Sequence, residues 1–206
     1  MEKPLAIEKE SFEIIKEALK KEHSALELPI VQRVIHATGD FEFEYLLKFQ
    51  QDAITQGIRA IRASKAIFTD VRMVEIGIDK RLLRHFGINT YCHIADNDIV
   101  EESSKSGLTR AELSVAKALN RPKDAIGIVA IGNAPTALLK LLELIETNPH
   151  ITPTLIVGVP VGFVKASESK ELLYNSSLPY ITCLGTKGGS PVAVSIINAL
   201  LKLAVL

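Results

Sequence analysis

The order of apolar and polar residues separates a first half rich in helical patterns from a second half of repeated strand and helix units. Continuous aliphatic runs occur at 125–131, 154–159 and 179–184, and each is followed by a turn rich in glycine or proline and then an amphipathic segment. Uninterrupted apolar runs are typical of parallel strands that are buried on both faces. The repeats predict right-handed βαβ units, in a three-layer α/β/α fold with a mostly parallel sheet.

The region before residue 125 is predicted to consist mainly of helices. Apolar residues recur there at helical spacing, and the capping box Thr109–Glu112 marks a further helix start. The predicted helices cover 7–26, 31–38, 51–64, 82–86 and 109–119. Two short apolar runs, 66–68 and 89–94, are predicted strands, whereas 41–49 fits a strand or a helix and 96–98 is predicted as a loop.

Two polar residues are expected to begin helices through their side chains. Asp70 follows a predicted strand and precedes Arg72 and Met73, so we expect it to cap the helix that they open. Ser190 stands before Pro191, and this order is typical of a helix start because proline at the first helical position has no N–H to leave unpaired.

Composition argues against a nucleic-acid-binding function. The chain has 206 residues, of which 47% are hydrophobic and 5% aromatic, with 24 basic and 24 acidic residues. A nucleic-acid-binding protein usually carries a basic surplus and aromatic residues for base stacking, and this sequence shows no such surplus and few aromatics. The aliphatic segments and the lack of a linker predict one domain over residues 1–206.

The cysteines and the apolar runs indicate the compartment. Cys92 and Cys183 are isolated in sequence, which favours buried thiols in a reducing compartment. The pair Cys92–His93 is a poor metal chelate, because neighbouring residues of a strand point to opposite faces. Glu2 and Lys3 interrupt any apolar signal segment, and no run approaches the ~18 residues of a membrane span. We therefore expect a soluble cytoplasmic protein that binds no nucleic acid and no membrane.

The stretch Val31–Asp40 is the strongest candidate for chemistry. At helical spacing it places Arg33, His36 and Asp40 on one face and apolar residues on the other, and Gly39 ends the helix. Histidine gives or takes a proton near neutral pH, so His36 is the candidate proton donor or acceptor. The alternative is a solvated helical face that contains one histidine.

The turns after the strands of the second half are candidate anion sites. Gly132–Asn133, Gly158–Pro160 and Gly185–Gly189 follow the carboxyl ends of the predicted strands, the usual ligand edge of an open α/β sheet. Glycine admits a ligand to the backbone and free N–H groups at a helix start attract anions, so these turns and Lys187 are predicted to receive carboxylates or phosphates. None carries a named nucleotide-binding signature, and ordinary turn chemistry is the alternative.

Five segments share their sequence and their order with a known family: Arg33–Asp40, Thr69–Val74, Ala130–Leu138, Val157–Ser169 and Gly188–Leu200. Together they resemble the precorrin-8X methylmutase family and its cobalt-precorrin-8 members over nearly the whole chain. The resemblance implies an isomerase of cobalamin biosynthesis that moves a methyl group from C11 to C12 of a corrin-type macrocycle, giving hydrogenobyrinate or cobyrinate. It also implies a homodimer without a separate cofactor.

The resemblance further implies roles for individual residues. His36 corresponds to the family's essential histidine, and Ser11, Arg33 and Arg110 correspond to positions that contact the substrate. Met73 is expected to line an aliphatic pocket for the flat ring. With the turns and the matched segments, the candidate substrate contacts are Ser11, Arg33, Thr38, Asp70, Arg72, Met73, Arg110, Gly132, Asn133, Lys187, Gly188, Gly189 and Ser190. No residue is assigned to a metal, because cobalt would arrive inside the substrate.

Two other functions stay open at this point. A non-catalytic tetrapyrrole carrier would bind the same pigment and release it unchanged. A nucleotide-dependent transferase is suggested by the parallel sheet alone, and the missing phosphate-binding signatures argue against it. A methyl shift within one molecule needs no nucleophile or redox group, so a positioned histidine fits the isomerase best.

Overall fold

Six strands form a single sheet in the computed structural model, which describes residues 2–120 and 126–206. The strands are β1 (Leu47–Phe49), β2 (Ala66–Thr69), β3 (Thr90–Tyr91), β4 (Ile126–Ile131), β5 (Leu155–Gly158) and β6 (Tyr180–Cys183). Their order is β1-β6-β5-β4-β2-β3, with β1 antiparallel to β6 and the other neighbours parallel. The predicted mostly parallel sheet is confirmed.

Helices connect the strands and cover both faces of the sheet. They are α1 (Glu2–Ala18), α2 (Glu27–Thr38), α3 (Phe43–Leu46), α4 (Ala53–Arg62), α5 (Arg72–Gly77), α6 (Lys80–Phe86), α7 (Asn97–Ser106), α8 (Arg110–Leu119), α9 (Pro135–Thr147), α10 (Ala166–Tyr174) and α11 (Ser190–Val205), with a 3-10 turn at Pro149–Ile151. Helices α2, α4, α5, α6 and α11 share a core with one face, and α8, α9 and α10 share a core with the other. The three-layer α/β/α architecture is therefore confirmed.

Successive strand residues supply the two cores in turn. Ile128 and Val157 belong to the core under α4 and α11, whereas Val129 and Ile156 belong to the core under α8, α9 and α10. Helix α11 is the most enclosed helix of its layer, because ten of its sixteen residues are buried between the sheet and α2, α4 and α5. In the described parts of the chain, no helix combines the length and the apolar character needed to cross a membrane.

The connections after β2 and β4 diverge at the middle of the sheet. From β2 the chain passes through α5 and α6 on one face to the outer strand β3, whereas from β4 it passes through α9 on the other face to β5. A position where neighbouring connections diverge leaves a crevice at the carboxyl ends of the strands, where ligands of open α/β sheets usually bind. A ligand is therefore expected at this crevice.

The first helix ends earlier than predicted. The apolar pattern predicted a helix up to residue 26, but α1 stops at Ala18 and α2 begins at Glu27. The buried carboxylate of Glu44 on α3 accepts the backbone N–H groups of Lys20 and Lys21, at 2.7 and 2.6 Å. These two N–H groups are therefore not available for a further helical turn.

The segment 96–98 was wrongly predicted as a loop, because it opens α7. Asp96 is the N-cap of this helix, and Gly107 ends it with a φ of 73°. Ile99 is its one buried residue, so the apolar periodicity on which the prediction relied is weak. The strand predicted over 89–94 is also shorter than expected, because pairing with β2 covers only the two residues of β3.

The two predicted side-chain caps are wrong. The N-cap of α5 is Val71 and that of α11 is Gly189, and neither helix start has a side-chain cap. Ser190 is the first residue of α11 instead of its cap. Asp70 bonds to the turn after β4 instead of to α5.

Other predicted elements are confirmed to within a few residues. Gly39 and Gly87 end α2 and α6 in left-handed conformation, and Thr109–Glu112 forms the predicted capping box of α8. The segment 41–49, which fitted a helix or a strand, contains α3 followed by β1. Ala125, the first residue of one predicted strand, lies outside the described residues.

Truncation of Leu200 tests the central position of α11. Leu200 is fully buried and faces Gly57 of α4. The Leu200→Ala variant leaves a cavity and is expected to lower the free energy of unfolding by about 2–5 kcal/mol. Val205 on the same helix is 53% exposed, so Val205→Ala is expected to change it by about 0.5 kcal/mol or less. Urea unfolding measures both values, and equal losses would contradict the central position of α11.

Candidate active site

The carboxyl edge of the sheet brings together several of the predicted contacts. Asp70 follows β2, Gly132 and Asn133 follow β4, and residues 187–190 link β6 to α11. The packing is close, since a Cβ added to Gly132 would lie 3.0 Å from the Cα of Ser190. Three turns that are far apart in sequence therefore meet above the middle of the sheet.

Asp70 fills the crevice between β2 and β4. Its side chain is fully buried; one carboxylate oxygen accepts the backbone N–H of Gly132 at 3.0 Å, and the other accepts those of Asn133 and Ala134 at 2.8 Å. Burial raises the pKa of the Asp70 carboxyl, and the three N–H groups act in the opposite direction. Since both oxygens are engaged, Asp70 holds the turn that opens α9 and offers no free carboxylate to a ligand.

The backbone N–H groups of the turn after β4 are bonded within the protein. Its N–H groups were predicted to be free for an anion, but the protein's own carboxylate already occupies those of Gly132 and Asn133. Gly132 is buried, whereas Asn133 is exposed. The group that this turn presents to a ligand is therefore the side chain of Asn133.

The turn between β6 and α11 lies directly on the end of β5. Gly188 has a φ of 152°, and a Cβ at this position would collide with the carbonyl oxygen of Val159. The same carbonyl accepts the N–H of Gly189 at 2.8 Å. Glycine is needed at 188 because the two backbones approach too closely for any side chain. Lys187 and Gly188 are partly exposed, so this turn remains accessible.

Lys187 joins this turn to the end of α2. Its Nζ lies 2.5 Å from Oδ2 of Asp40 and 2.9 Å from Oε2 of Glu42. The hydrogen bond from Lys187 holds the pKa of Asp40 below its usual value, and the two carboxylates raise the pKa of Lys187. The predicted anion-binding cation is thus already paired with carboxylates of the protein, which fix the end of α2 at the carboxyl edge.

His36 is exposed on α2, one turn before this helix ends at Gly39. On the other side of the helix Val34 and Ile35 are buried, so the predicted two-faced pattern is confirmed. Phe12 of α1 lies beside the imidazole, with ring centroids 5.3 Å apart and the planes at 77°. The imidazole is therefore open to solvent and has an aromatic ring against one side.

Arg33 is held by α1. Its guanidinium donates to Oε1 of Glu8 at 2.9 Å and lies 5.0 Å from the ring centroid of Phe12, and Lys202 of α11 reaches the same Glu8 oxygen at 3.5 Å. The hydrogen bond from Arg33 lowers the pKa of Glu8. Phe12 therefore contacts both Arg33 and His36, and its position sets the spacing of the two side chains.

Phe12 and Glu8 are contacts of the site that the sequence reasoning missed. With Ser11 they occupy positions i, i+3 and i+4 of α1, so they share one face of this helix. That spacing was the available signal, but nothing in the sequence alone said that this face meets α2. The packing of α1 on α2 supplies this information.

Four other predicted contacts differ in their exposure. The hydroxyls of Ser11 and Thr38 each donate to the carbonyl four residues earlier in their own helices, at 2.8 Å, and both residues are partly exposed. Arg72 and Met73 are exposed on α5, Met73 by 69%. Met73 is therefore open to solvent in a single copy of the chain, and its contact with the ring stays a prediction.

Arg110 lies on the opposite helical layer from His36. It is the first residue of α8, which packs with α9, whereas α2 packs with α11 on the other side of the sheet. The hydroxyls of Thr109 and Thr136 are 3.1 Å apart, so α8 begins beside the start of α9 at the carboxyl edge. Within one chain, Arg110 and His36 therefore belong to helices on opposite faces of the sheet.

Among the residues that the structure describes, no group of three or more His, Cys, Asp or Glu side chains is arranged to hold a metal ion. Cys92 and Cys183 are free thiols; Cys183 is buried as predicted, but Cys92 is only half-buried. Nδ1 of His93 lies 2.8 Å from Asp96, whose carboxylate also accepts Lys117 at 2.8 Å.

Comparison with known proteins identifies the family. A family model described as precorrin-8X methylmutase matches residues 6–203. The chain belongs to the precorrin-8X methylmutase family. A cobalt-precorrin-8 methylmutase of Priestia megaterium is 46% identical, over 98% of this chain and 88% of the relative, and one of Leptospira interrogans is 44% identical, over 96% and 93%. The precorrin-8X methyl mutase structure from Thermus thermophilus is 42% identical, with a TM-score of 0.89 over 97% of this chain and 95% of that one.

Membership in the precorrin-8X methylmutase family confirms the resemblance seen in the five sequence segments. The chain is accordingly an isomerase of the methylmutase type. The matched region runs from residue 6 to residue 203 and includes every predicted site residue.

Replacement of Asp70 tests its structural role. In the Asp70→Ala variant three backbone N–H groups lose their acceptor inside the protein, and the free energy of unfolding is expected to fall by at least about 2 kcal/mol. Asp79 is a matched control, because it also accepts two backbone N–H groups but at a more exposed helix start. Asp79→Ala is expected to cost about 1 kcal/mol. A smaller loss for Asp70→Ala than for Asp79→Ala in chemical unfolding would contradict this role.

The pair of Asp40 and Lys187 predicts a dependence of stability on pH. The pKa of Asp40 is below its ordinary 3.8, so the pair's contribution is present above that value and is lost as the pH falls through the folded pKa. Asp40→Asn is therefore expected to be less stable than the unmodified protein at pH 6, with the difference shrinking towards pH ~2. Thermal unfolding at a series of pH values measures the difference.

The control for this pH series is Asp52→Asn. Asp52 is exposed and forms no ion pair within residues 2–120 and 126–206. Its replacement is expected to leave the pH dependence of the melting temperature unchanged. A difference between the unmodified protein and Asp40→Asn that stays constant from pH 6 to pH ~2 would contradict a stabilising ion pair.

Proposed function

We propose that this chain moves a methyl group from C11 to C12 of precorrin-8X or cobalt-precorrin-8 in cobalamin biosynthesis, giving hydrogenobyrinate or cobyrinate. The relatives named as cobalt-precorrin-8 methylmutases, which align with nearly the whole chain, support this substrate class. The methyl group leaves one ring carbon and joins its neighbour, so substrate and product have the same atoms. The protein has to hold the ring and shift its electron distribution.

His36 is the proposed proton donor, and its exposure is the single observation that carries this role. The imidazole is accessible on α2, beside Phe12, whereas the apolar side of the same helix is buried. A hydrogen bond or proton given to the macrocycle near ring C draws electron density towards the receiving atom and promotes migration of the methyl group. A positioned acid of this kind contributes on the order of 10²–10⁴ in rate.

Peripheral carboxylates of the substrate are proposed to bind by exchange with carboxylates of the protein. Arg33 is paired with Glu8, and Lys187 is paired with Asp40 and Glu42. A substrate carboxylate that takes the place of one of these groups keeps the cation paired, so neither cation has to be left alone in the complex. Arg33 also offers two parallel N–H groups, which suits a carboxylate.

A homodimer is proposed on two observations. Arg110 and His36 lie on opposite layers of one chain, so a second copy offers a way to bring such groups to one substrate. Apolar side chains are also exposed in segments that follow carboxyl ends of strands, including Met73 at 69%, Phe163 at 92% and Val164 at 78%. Burial of such residues between two copies would remove apolar surface from water.

Replacement of His36 tests the proposed chemistry. His36→Ala is expected to lower kcat by about 10²–10⁴ while the pigment still binds, because the acid is lost and the carboxylate contacts remain. The assay measures, after denaturation of the protein, the amount of chemically distinct product formed from precorrin-8X and from cobalt-precorrin-8. Comparison of the two rates also identifies the preferred form of the substrate.

His85 supplies the matched control. It is an exposed histidine near the end of a short helix, and it contacts Phe86 edge-on at 4.8 Å, much as His36 contacts Phe12. His85→Ala is expected to keep the activity of the unmodified protein. Substantial turnover by His36→Ala would remove this histidine from the mechanism, and pigment that the unmodified protein binds and releases unchanged would identify a carrier.

A further inference from the structure

Lys170 is a buried cation that the proposed chemistry does not use. It lies on α10 and is fully buried, and its ammonium has two polar contacts, the carbonyl oxygen of Lys187 at 2.6 Å and the sulfur of Cys183 at 4.0 Å. Within residues 2–120 and 126–206 it forms no ion pair with a carboxylate. Burial of an ammonium group without an opposite charge is unfavourable, so the contact it makes calls for an explanation.

The contact fixes the turn between β6 and α11. The carbonyl of Lys187 accepts the ammonium of Lys170 and also the thiol of Cys183 at 3.2 Å. The next residue, Gly188, is pressed against the backbone of Val159. On the outside, the side chain of Lys187 reaches Asp40. Lys170 therefore fixes the buried side of this turn, while β5 and the end of α2 fix its other sides.

The same contact places the side-chain amine of Lys170 next to the buried side of this turn. Burial lowers the pKa of Lys170 and raises the pKa of the Cys183 thiol to about 11, so the thiol stays protonated at neutral pH and supplies no negative charge beside Lys170. Helix α11 begins directly after the turn, and the N-terminus of a helix also carries a partial positive charge. Both effects favour an anion at the turn, whose outer residues Lys187 and Gly188 are partly exposed.

We propose that Lys170 is a positioning residue for substrate binding, which keeps the Lys187–Gly189 turn in the shape and at the positive potential that receive a carboxylate of the corrinoid. This inference rests on the proposed function, because it assigns one binding contact of that same substrate. Lys170 itself does not touch the substrate, since its side chain is fully buried and acts through the carbonyl of Lys187.

The test replaces Lys170 by methionine, which has a similar length and no charge. KM for the substrate is expected to rise about tenfold while kcat changes by less than about threefold, because a binding contact is lost and the acid is kept. Binding of cobyrinate and of its fully methyl-esterified form is then compared by absorption titration. Lys170→Met is expected to weaken binding of the acid about tenfold and to leave binding of the ester unchanged to within about twofold.

Leu141→Ala is the matched control for lost stability. Leu141 is fully buried on α9, in the same helical layer as Lys170. This variant is expected to unfold more easily yet to bind acid and ester with unchanged relative affinity. If Lys170→Met gives little folded protein, Lys170→Gln replaces it, since an amide keeps an N–H donor for the carbonyl without the charge.

The outcomes separate the two proposals. If the unmodified protein does not isomerise either substrate, the proposed function fails, whatever the variants do. If the unmodified protein is active and both Lys170 variants keep its KM, or lose affinity for acid and ester equally, the positioning role is wrong. A selective loss for the acid supports it, since a purely structural residue would not distinguish a carboxylate from its ester.

Discussion

A buried carboxylate holds the middle of this fold together. The connections after β2 and β4 diverge there, and Asp70 joins the two strand ends by accepting three backbone N–H groups. An unpaired charge at this depth would be costly, and the N–H groups would be equally unfavourable without an acceptor. The carboxylate of Asp70 and the three N–H groups therefore stabilise each other. The positions of the neighbouring turns depend on these hydrogen bonds. Lys187 and Arg33 are likewise held by carboxylates of the protein, so the predicted cations are oriented before any substrate binds.

The fold was predictable where one strong local signal decided the outcome. The aliphatic runs predicted β4, β5 and β6. The glycines at 39 and 87 predicted helix ends, because glycine readily adopts the left-handed conformation that ends a helix. Prediction failed where a distant group competed with a local preference. Glu44 captures two N–H groups from the end of α1, and Asp70 bonds to a turn that is more than sixty residues away in sequence. No local pattern contains such information.

The local patterns at the candidate site were predictable from the sequence, but the arrangement of its residues in space was not. The two-faced helix that presents His36 and the position of the glycine turns at the carboxyl edge both follow from spacing and from the rules of parallel sheets. The pairing of Arg33 with Glu8 does not, because it depends on how α1 packs on α2. The separation of Arg110 from His36 depends in the same way on which face each helix covers.

The antiparallel edge of the sheet has a consequence for the order in which the molecule is completed. Strand β1 comes from the first quarter of the chain, yet its partner in the described sheet is β6, more than 130 residues later. During synthesis from the N-terminus, β1 therefore has no strand of the described sheet to pair with until most of the polypeptide has left the ribosome. Contacts of such long range slow folding, since a large loop has to close before they form. Pairing of β1 with β6 is thus a late event, and the described sheet is complete only once it has taken place.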